Sequence, residues 1–266
     1  MTTYAPGTFC WADLSTTDPK AATAFYEGLF SWTHYVNSSD HGDYTLLQKD
    51  GKDIGGLYQQ MPEQAEAGVP PHWLSYVCVE NTHASAAKAK ELGGSVIMEP
   101  MDVMDHGLMA VIVDPSGAPF AIWQPKAHSG AGFFGDPGSY CWFELMTRDA
   151  AACKAFYSGL FGWTPVDQQM KDPSGKDIHY TMMMMGEMPA AGMMEMGEEF
   201  PAEVPPHWML YFAVEDCEAG AKYIQDNGGQ LHVPPTDIPG IGRFAAAMDP
   251  QGGAFCIIKL LPQEGC

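Results

Sequence analysis

The sequence predicts an α+β protein built from four βαβββ modules, joined two by two into tandem domains. The main observation is an internal repeat, because residues 7–33 and 138–164 are identical at 15 of 27 positions. Two short motifs, VPPHW and DPxG, then recur in the same order in both halves, at 69–73, 114–117, 204–208 and 249–252. The second observation is that each half alternates between strand-like and helix-like segments.

The joint between the repeats lies in residues 125–138, which are rich in Gly, Pro and Ser. Such a composition is typical of a linker. We therefore place one domain at residues 1–130 and the other at residues 131–266.

The first module begins with an aromatic-rich strand, Phe9 to Leu14, and continues as a helix. Asp18 is a typical N-cap, and Pro19 suits the first helical position. The buried helical face is predicted at Ala21, Ala24, Phe25 and Leu29. Three strands are then predicted at Trp32 to Val36, Tyr44 to Lys49 and Ile54 to Tyr58.

The second module repeats this order. Its helix, Thr82 to Leu92, ends at a pair of glycines. Its strands are predicted at Trp73 to Val79, Val96 to Glu99, Met109 to Val113 and Phe120 to Trp123. A turn at 114–117, with Pro second and Gly fourth, joins the last two strands.

Composition narrows the classes of partner. The chain has 13 basic and 33 acidic residues and a net charge of −20, which disfavours nucleic acid and anionic lipid. The sequence shows no membrane span and no secretory signal. Its seven cysteines are dispersed, which favours reduced, buried thiols in a cytoplasmic protein.

The sequence FYxGLFxW, at 25–32 and 156–163, together with the two DPxG turns, resembles the vicinal oxygen chelate superfamily. That superfamily includes glyoxalase I, bleomycin-resistance proteins and extradiol dioxygenases. The resemblance covers nearly the whole chain. It implies two tandem glyoxalase/bleomycin-resistance-like domains whose curved, mostly antiparallel sheets enclose a cleft, where a divalent metal is commonly held by His, Gln or Glu.

The positions that the resemblance assigns to metal ligands lack the usual full ligand set, and only Cys256 among them could ligate a metal. They are Trp11, Gly56 and Ala121 in the first half and Trp142, Gly192 and Cys256 in the second. Trp, Gly and Ala cannot ligate a metal. The resemblance therefore implies neither ordinary glyoxalase I activity nor dioxygenase iron chemistry. Two alternatives stay open, a divalent metal and no cofactor. The missing ligands favour the absence of a cofactor.

One acid and one imidazole in each half form the best remaining candidate site. Asp13 shares a strand face with Trp11, and Glu144 occupies the equivalent position in the second half, while His72 and His207 follow the paired prolines. These four are the candidate catalytic residues. His72, His207 and Glu144 are also candidate metal ligands, for a site in which water supplies the remaining ligands. The alternative is an acid–imidazole hydrogen bond that only holds strands together.

Five further residues are candidates for ligand binding: Trp11, Trp142, Tyr44, Tyr180 and Arg243. The aromatic rings could line a pocket for a flat or cationic molecule, and the guanidinium could bind a carboxylate. The alternatives are ordinary sheet core for the rings and a surface loop for Arg243. The methionines at 182–185 fit either an adaptable binding surface or core.

Three functions stay open. The first is a glyoxalase-related enzyme, lyase or hydroxylase-like, acting on a small carbonyl or aromatic compound. The second is a metal-free protein that sequesters a hydrophobic or cationic molecule, as the bleomycin-resistance branch does. The third is a scaffold that has lost the chemistry. We expect a small-molecule partner, and a monomer whose two halves resemble the subunits of a dimer.

Overall fold

The computed structural model describes residues 4–39, 42–171, 177–198 and 200–262. It is an α+β fold with two eight-stranded mixed sheets, as the sequence predicts. The first half contains β1 (Phe9–Thr16), α1 (Pro19–Phe30), β2 (Thr33–Ser39), β3 (Gly42–Lys49), β4 (Lys52–Gln59), α2 (Pro62–Glu66), β5 (His72–Cys78), α3 (Thr82–Glu91), β6 (Ser95–Val103), β7 (Gly107–Val113) and β8 (Pro119–Pro125). Its strand order is β2-β3-β4-β1-β5-β8-β7-β6.

The second half repeats that order. It contains β9 (Tyr140–Thr147), α4 (Ala150–Phe161), β10 (Thr164–Lys171), β11 (Asp177–Met185), β12 (Met188–Glu195), β13 (His207–Ala213), α5 (Cys217–Asp226), β14 (Gln230–Ile238), β15 (Gly242–Met248) and β16 (Ala254–Leu260). Its strand order is β10-β11-β12-β9-β13-β16-β15-β14. Four βαβββ modules are therefore present.

The predicted cap of the first helix is confirmed. The Asp18 carboxylate accepts a hydrogen bond from the Ala21 amide at 3.0 Å, and Pro19 is the first helical residue. The equivalent Asp149 caps α4 through the Ala152 amide at 2.9 Å.

The predicted buried face of α1 is wrong in part. Phe25 is buried, but Ala24 is exposed, and Ala21 and Leu29 are only half-buried. The residues that α1 buries are Ala22, Thr23, Phe25, Tyr26 and Phe30. The helix is rotated toward its large aromatic side chains, because burying a ring removes more apolar surface from water than burying an alanine.

The sequence also misses one element. The short helix α2 lies between β4 and β5 and buries none of its residues, so no apolar periodicity marks it. β2 begins one residue later than predicted, since the Trp32 indole is buried and donates to the Gly138 carbonyl at 2.8 Å.

The chain forms two compact units, each drawn from both halves of the sequence. One consists of Met1–Trp11, Leu74–Gly130 and Phe143–Met209, and the other of Ala12–Trp73, Ala131–Trp142 and Leu210–Cys266. The domain boundary at residue 130 stays a prediction.

Each unit contains one buried chain of hydrogen bonds that joins the three repeated motifs. In one unit the Trp73 indole donates to the Tyr26 hydroxyl at 3.0 Å, and Tyr26 donates to Asp249 Oδ2 at 2.9 Å. Asp249 Oδ1 accepts from the Gln251 and Gly253 amides, both at 2.9 Å. This Trp–Tyr–Asp relay satisfies a carboxylate that would be costly to bury alone.

The other unit contains the same relay. The Trp208 indole donates to the Tyr157 hydroxyl at 3.0 Å, and Tyr157 donates to Asp114 Oδ2 at 2.9 Å. Burial, followed by the neighbouring aspartate, raises the pKa of both relay tyrosines, Tyr26 and Tyr157, well above its usual value. Buried hydrogen bonding therefore accounts for three repeated residues: the tyrosine of FYxGLFxW, the aspartate of DPxG and the tryptophan of PPHW.

Six cysteines lie in the described part of the chain; none of them forms a disulfide, and all six are buried, as predicted. Within the same residues, no helix combines the length and the apolar character needed to cross a membrane.

Candidate functional site

Two rows of side chains cross β1 to β4 on one sheet face of the first half. Strand register aligns Tyr35, Leu46, Gly56 and Asp13 in the first row. It aligns Asn37, Tyr44, Tyr58 and Ser15 in the second row. We call these eight residues the first-half face. Partners in register project to the same side of a sheet, so the rows form one continuous surface.

Asp13 and Tyr44 meet on this face. Asp13 is 4% exposed, and the Tyr44 hydroxyl donates to its Oδ2 at 3.3 Å. Gly56 makes this approach possible, because a Cβ at that position would collide with the Tyr44 hydroxyl. The result is a buried carboxylate paired with a phenol whose side chain is half-exposed.

Tyr58 and Ser15 extend the polar cluster. Burial is the main cause that raises the pKa of Tyr58 above its usual value, and the Asp13 carboxylate adds to it, while a hydrogen bond with Ser15 opposes it. The Ser15 hydroxyl also donates a hydrogen bond to Gln64 Oε1 at 3.4 Å. Gln64 belongs to α2, so the helix that the sequence missed contributes to this cluster.

The second half has an equivalent surface with different chemistry. Its first row is Val166, Met182, Gly192 and Glu144, and its second row is Gln168, Tyr180, Met194 and Met146. We call these eight residues the second-half face. The acid, the glycine and one tyrosine are retained in type, but methionines occupy the positions of Tyr58 and Ser15.

The two candidate imidazoles hydrogen bond to the backbone just before them. The His72 and His207 rings each hydrogen bond through Nδ1 to the proline carbonyl two residues earlier, at 2.9 Å. A carbonyl can only accept, so Nδ1 carries the proton. Burial lowers the pKa of His207 below its usual value, against the smaller effect of the proline carbonyl. These contacts are local to each turn, and a joint role of each imidazole with Asp13 or Glu144 stays a prediction.

The other candidate ligand-binding residues lie in different surroundings. Trp11 is buried, and its ring lies edge-on to the His128 ring with centroids 4.7 Å apart. Trp142 is half-buried. Arg243 forms ion pairs with Glu218 and, at 2.8 Å, with Asp237. Both pairs engage the guanidinium that was expected to face a ligand, and its binding role stays a prediction.

The donor set on these faces does not fit a divalent metal. Each face supplies one carboxylate, Asp13 or Glu144, with no imidazole in either row. Among the residues the structure describes, no three His, Cys, Asp or Glu side chains are grouped so that they could hold a metal ion. No chemical step is therefore assigned to a metal, and the need for a cofactor stays a prediction.

Sequence reasoning missed Tyr58, Ser15 and Gln64. Strand alternation could have found the first two, since Tyr58 lies two residues after Gly56 and Ser15 lies two residues after Asp13. Gln64 could not have been found, because its position depends on how α2 packs.

Comparison with known proteins gives two family matches. Residues 140–257 match the model described as Glyoxalase/Bleomycin resistance protein/Dioxygenase superfamily, and residues 11–123 match a glyoxalase-like domain. The chain is 37% identical over 263 residues to "Putative glyoxylase CFP32" of Mycobacterium tuberculosis, covering 98% of each chain. It is 36% identical over 271 residues to the anthracycline biosynthesis protein DnrV of Streptomyces peucetius, covering 98% of this chain and 96% of that protein.

Solved structures show the same fold at low identity. The 2,3-dioxygenase LapB from Pseudomonas sp. KL28 superposes with a TM-score of 0.67 and 13% identity, covering 99% of this chain and 96% of that one. The Mn(II)-bound glyoxalase from Novosphingobium aromaticivorans has a TM-score of 0.65 and 13% identity, covering 97% of this chain and 83% of that one.

Proposed function

The chain belongs to the glyoxalase/bleomycin resistance/dioxygenase superfamily, and on that premise we propose that it is a metal-independent enzyme acting on a small carbonyl or aromatic compound. The observation that carries the proposal is the buried Asp13 carboxylate with the Tyr44 hydroxyl against it on the first-half face. Glu144 is the corresponding acid of the second half.

The chemistry that this pair supports is proton transfer next to a carbonyl group. Asp13 takes a proton from the carbon beside the carbonyl, and the carbon–hydrogen electron pair moves toward the carbonyl oxygen. The Tyr44 hydroxyl turns from Asp13 to that oxygen and donates a hydrogen bond as negative charge develops there. A general base and a positioned donor each contribute substantially to such a step.

A tyrosine hydroxyl at this position supports metal independence. Metal ions polarise carbonyl oxygens in many enzymes, and a preorganised hydrogen-bond donor performs the same electrostatic task. Tyr44 passes over Gly56, which the resemblance assigns to a metal ligand, and reaches the carboxylate directly.

The substrate class follows from the face and from the relatives. The Tyr44 and Tyr58 rings lie nearly parallel, with centroids 6.3 Å apart, so a flat molecule can lie against them. The relative DnrV is named for anthracycline biosynthesis, and an anthracycline contains polycyclic aromatic ketone rings. We therefore place polycyclic aromatic ketones that carry a hydrogen on the carbon beside the carbonyl ahead of aliphatic aldehydes.

Proton exchange in D2O tests this proposal without knowledge of the full reaction. 1-Tetralone and hydroxyacetone are incubated with the protein and EDTA, and loss of the exchangeable carbon-bound protons is followed by NMR. We expect catalysed exchange, reduced about 100-fold or more by Asp13→Asn, since a general base contributes roughly 10²–10⁴-fold. Tyr44→Phe should also slow exchange.

The control is Asp43→Asn, which removes an exposed acid beside Tyr44 on the same strand. Its exchange rate should equal that of the parent protein. Exchange that persists in Asp13→Asn would refute the assignment of the base. Exchange that is lost in EDTA and restored by a divalent metal would refute metal independence.

Metal-free sequestration of a hydrophobic or cationic molecule is the second candidate. The net charge of −20 favours it, because a negative field attracts cationic ligands. Saturable binding of an aromatic ligand without any catalysed exchange would support this alternative.

A further inference from the structure

The second-half face differs from the first-half face at the positions that carry the polar chemistry. Ser15 and Tyr58 correspond to Met146 and Met194, which are direct cross-strand neighbours. Leu46 corresponds to Met182 in the row that contains Glu144. Two hydroxyl groups are thus replaced by thioethers, and the surface around the acid becomes mostly apolar.

The methionine run divides by face. Met183 is 0% exposed and Met193 is 1% exposed, so both belong to the core. Met182, Met184 and Met194 lie on the opposite side of their strands and are half-exposed. A core role explains the first pair but leaves three thioethers open to a ligand.

Glu144 places a negative charge at the centre of this apolar surface. Its residue is 8% exposed, and it pairs in register with Gly192 beside Met182. A carboxylate at this depth is screened by little water, so it attracts a positive group more strongly than a surface acid does. The overall net charge of −20 acts in the same direction.

We propose that the second-half face is a separate binding site for a planar, apolar molecule that carries a positively charged group. The thioethers contact the faces and edges of the aromatic rings, and Glu144 pairs with the cation. Methionine suits this role, because its flexible, polarizable side chain adapts to ligands of different shape and contacts rings favourably. The contrast between a binding half and a reacting half rests on the function proposed for the first half. The proposed binding by the second half does not depend on that function.

Fluorescence titration with 9-aminoacridine, a planar cation, tests the site against anthracene-9-carboxylate, a planar anion of similar size. We expect the cation to bind with a dissociation constant at least tenfold lower than that of the anion. Glu144→Gln should weaken binding of the cation at least tenfold and should not weaken binding of the anion. The matched control is Glu195→Gln, since Glu195 is an exposed acid near the end of β12 and on its other face.

A second variant tests the thioethers. Met194→Tyr with Met146→Ser recreates the pattern of the first half and should weaken the cation at least fivefold. Met194→Leu keeps an apolar side chain of similar volume and should stay within about threefold of the parent protein. Thermal melts without ligand identify any variant that fails to fold, and Glu144→Gln then carries the test alone.

The outcomes separate this proposal from the proposed function. Equal loss of affinity in Glu144→Gln and Glu195→Gln would show general electrostatic attraction and overturn the site. Loss of affinity in Asp13→Asn instead of Glu144→Gln would place the ligand on the first half and overturn it as well. Binding that depends on Glu144 upholds the site even if no proton exchange is found.

Discussion

The Trp–Tyr–Asp relays make the strongest stability prediction, and Tyr26→Phe tests it. This substitution keeps the ring and removes only the hydroxyl, which accepts from Trp73 at 3.0 Å and donates to Asp249 at 2.9 Å. Tyr26 is fully buried, so water does not replace either partner without opening the core. Both partners lose a hydrogen bond at once.

The magnitude follows from the two groups left behind. A buried polar group without its partner costs about 1–3 kcal/mol, so losing both hydrogen bonds should lower the free energy of unfolding by about 2–4 kcal/mol. The backbone donors to Asp249 Oδ1 stay in place, which limits the cost at the carboxylate. For a chain of this length the melting temperature should fall by roughly 5–15 °C.

Urea unfolding and calorimetry of the parent protein and the variant provide the assay. Tyr157→Phe removes the same hydroxyl from the relay of the other unit and should have a similar cost. Tyr35→Phe is the control, because that hydroxyl is exposed and lies 3.4 Å from Asp53. A loss below about 0.5 kcal/mol in both relay variants would show that the relay does not stabilise the fold.

The pH dependence gives an independent check. Burial raises the pKa of Asp249, and the Tyr26 hydroxyl is one of the groups that lower it, so Tyr26→Phe should raise the pKa further. A carboxyl with a raised pKa in the folded state loses its stabilising contribution as pH rises through that pKa. The cost of Tyr26→Phe should therefore be larger at about pH 8 than at about pH 5.

Three other predictions concern buried polar groups. Ser75→Ala should raise the free energy of unfolding by about 1 kcal/mol, since this buried hydroxyl has no hydrogen-bond partner among the described residues. Ser139→Ala should lower the free energy of unfolding, because that hydroxyl donates to the Asp136 carbonyl at 2.6 Å. Burial lowers the pKa of His207, so stability should fall as pH drops below about 6.5, and His207→Gln should remove that dependence in urea titrations. Burial raises the pKa of Cys141 to about 12 and that of Cys153 to about 11, so both should resist a disulfide reagent at pH 8 until the protein unfolds.

The strand and helix order was predictable because each element carries a local signal. Asp18 and Asp149 precede their helices as N-caps, and the DPxG turns interrupt the strands where the structure does. The repeat strengthened every assignment, since a segment that recurs in order with the same turn residues has the same structure twice. These features depend on neighbours in sequence, which is why the sequence reveals them.

Features that depend on tertiary contacts were not predictable in the same way. The rotation of α1 follows from the partner of Tyr26, which is Asp249 far along the chain. The position of Gln64 follows from the packing of a helix without an apolar stripe. The hydrogen bonds of His72 and His207 to the carbonyls of Pro70 and Pro205 depend on the conformation of the Pro-Pro-His turns, which the residue types alone do not indicate.

The repeat therefore separates architecture from function. The buried relays consist of residues that are identical in both halves. These residues are the tyrosines of the FY pairs, the aspartates of the DPxG turns and the tryptophans of the PPHW sequences. Selection for folding alone accounts for them. Other residues differ between the two equivalent faces: Ser15 and Tyr58 in the first half are replaced by Met146 and Met194 in the second. In each half these residues share a sheet face with a buried acid. A difference in that place changes what a ligand meets and leaves the relays intact, so it is at these positions that the two halves are expected to differ in function.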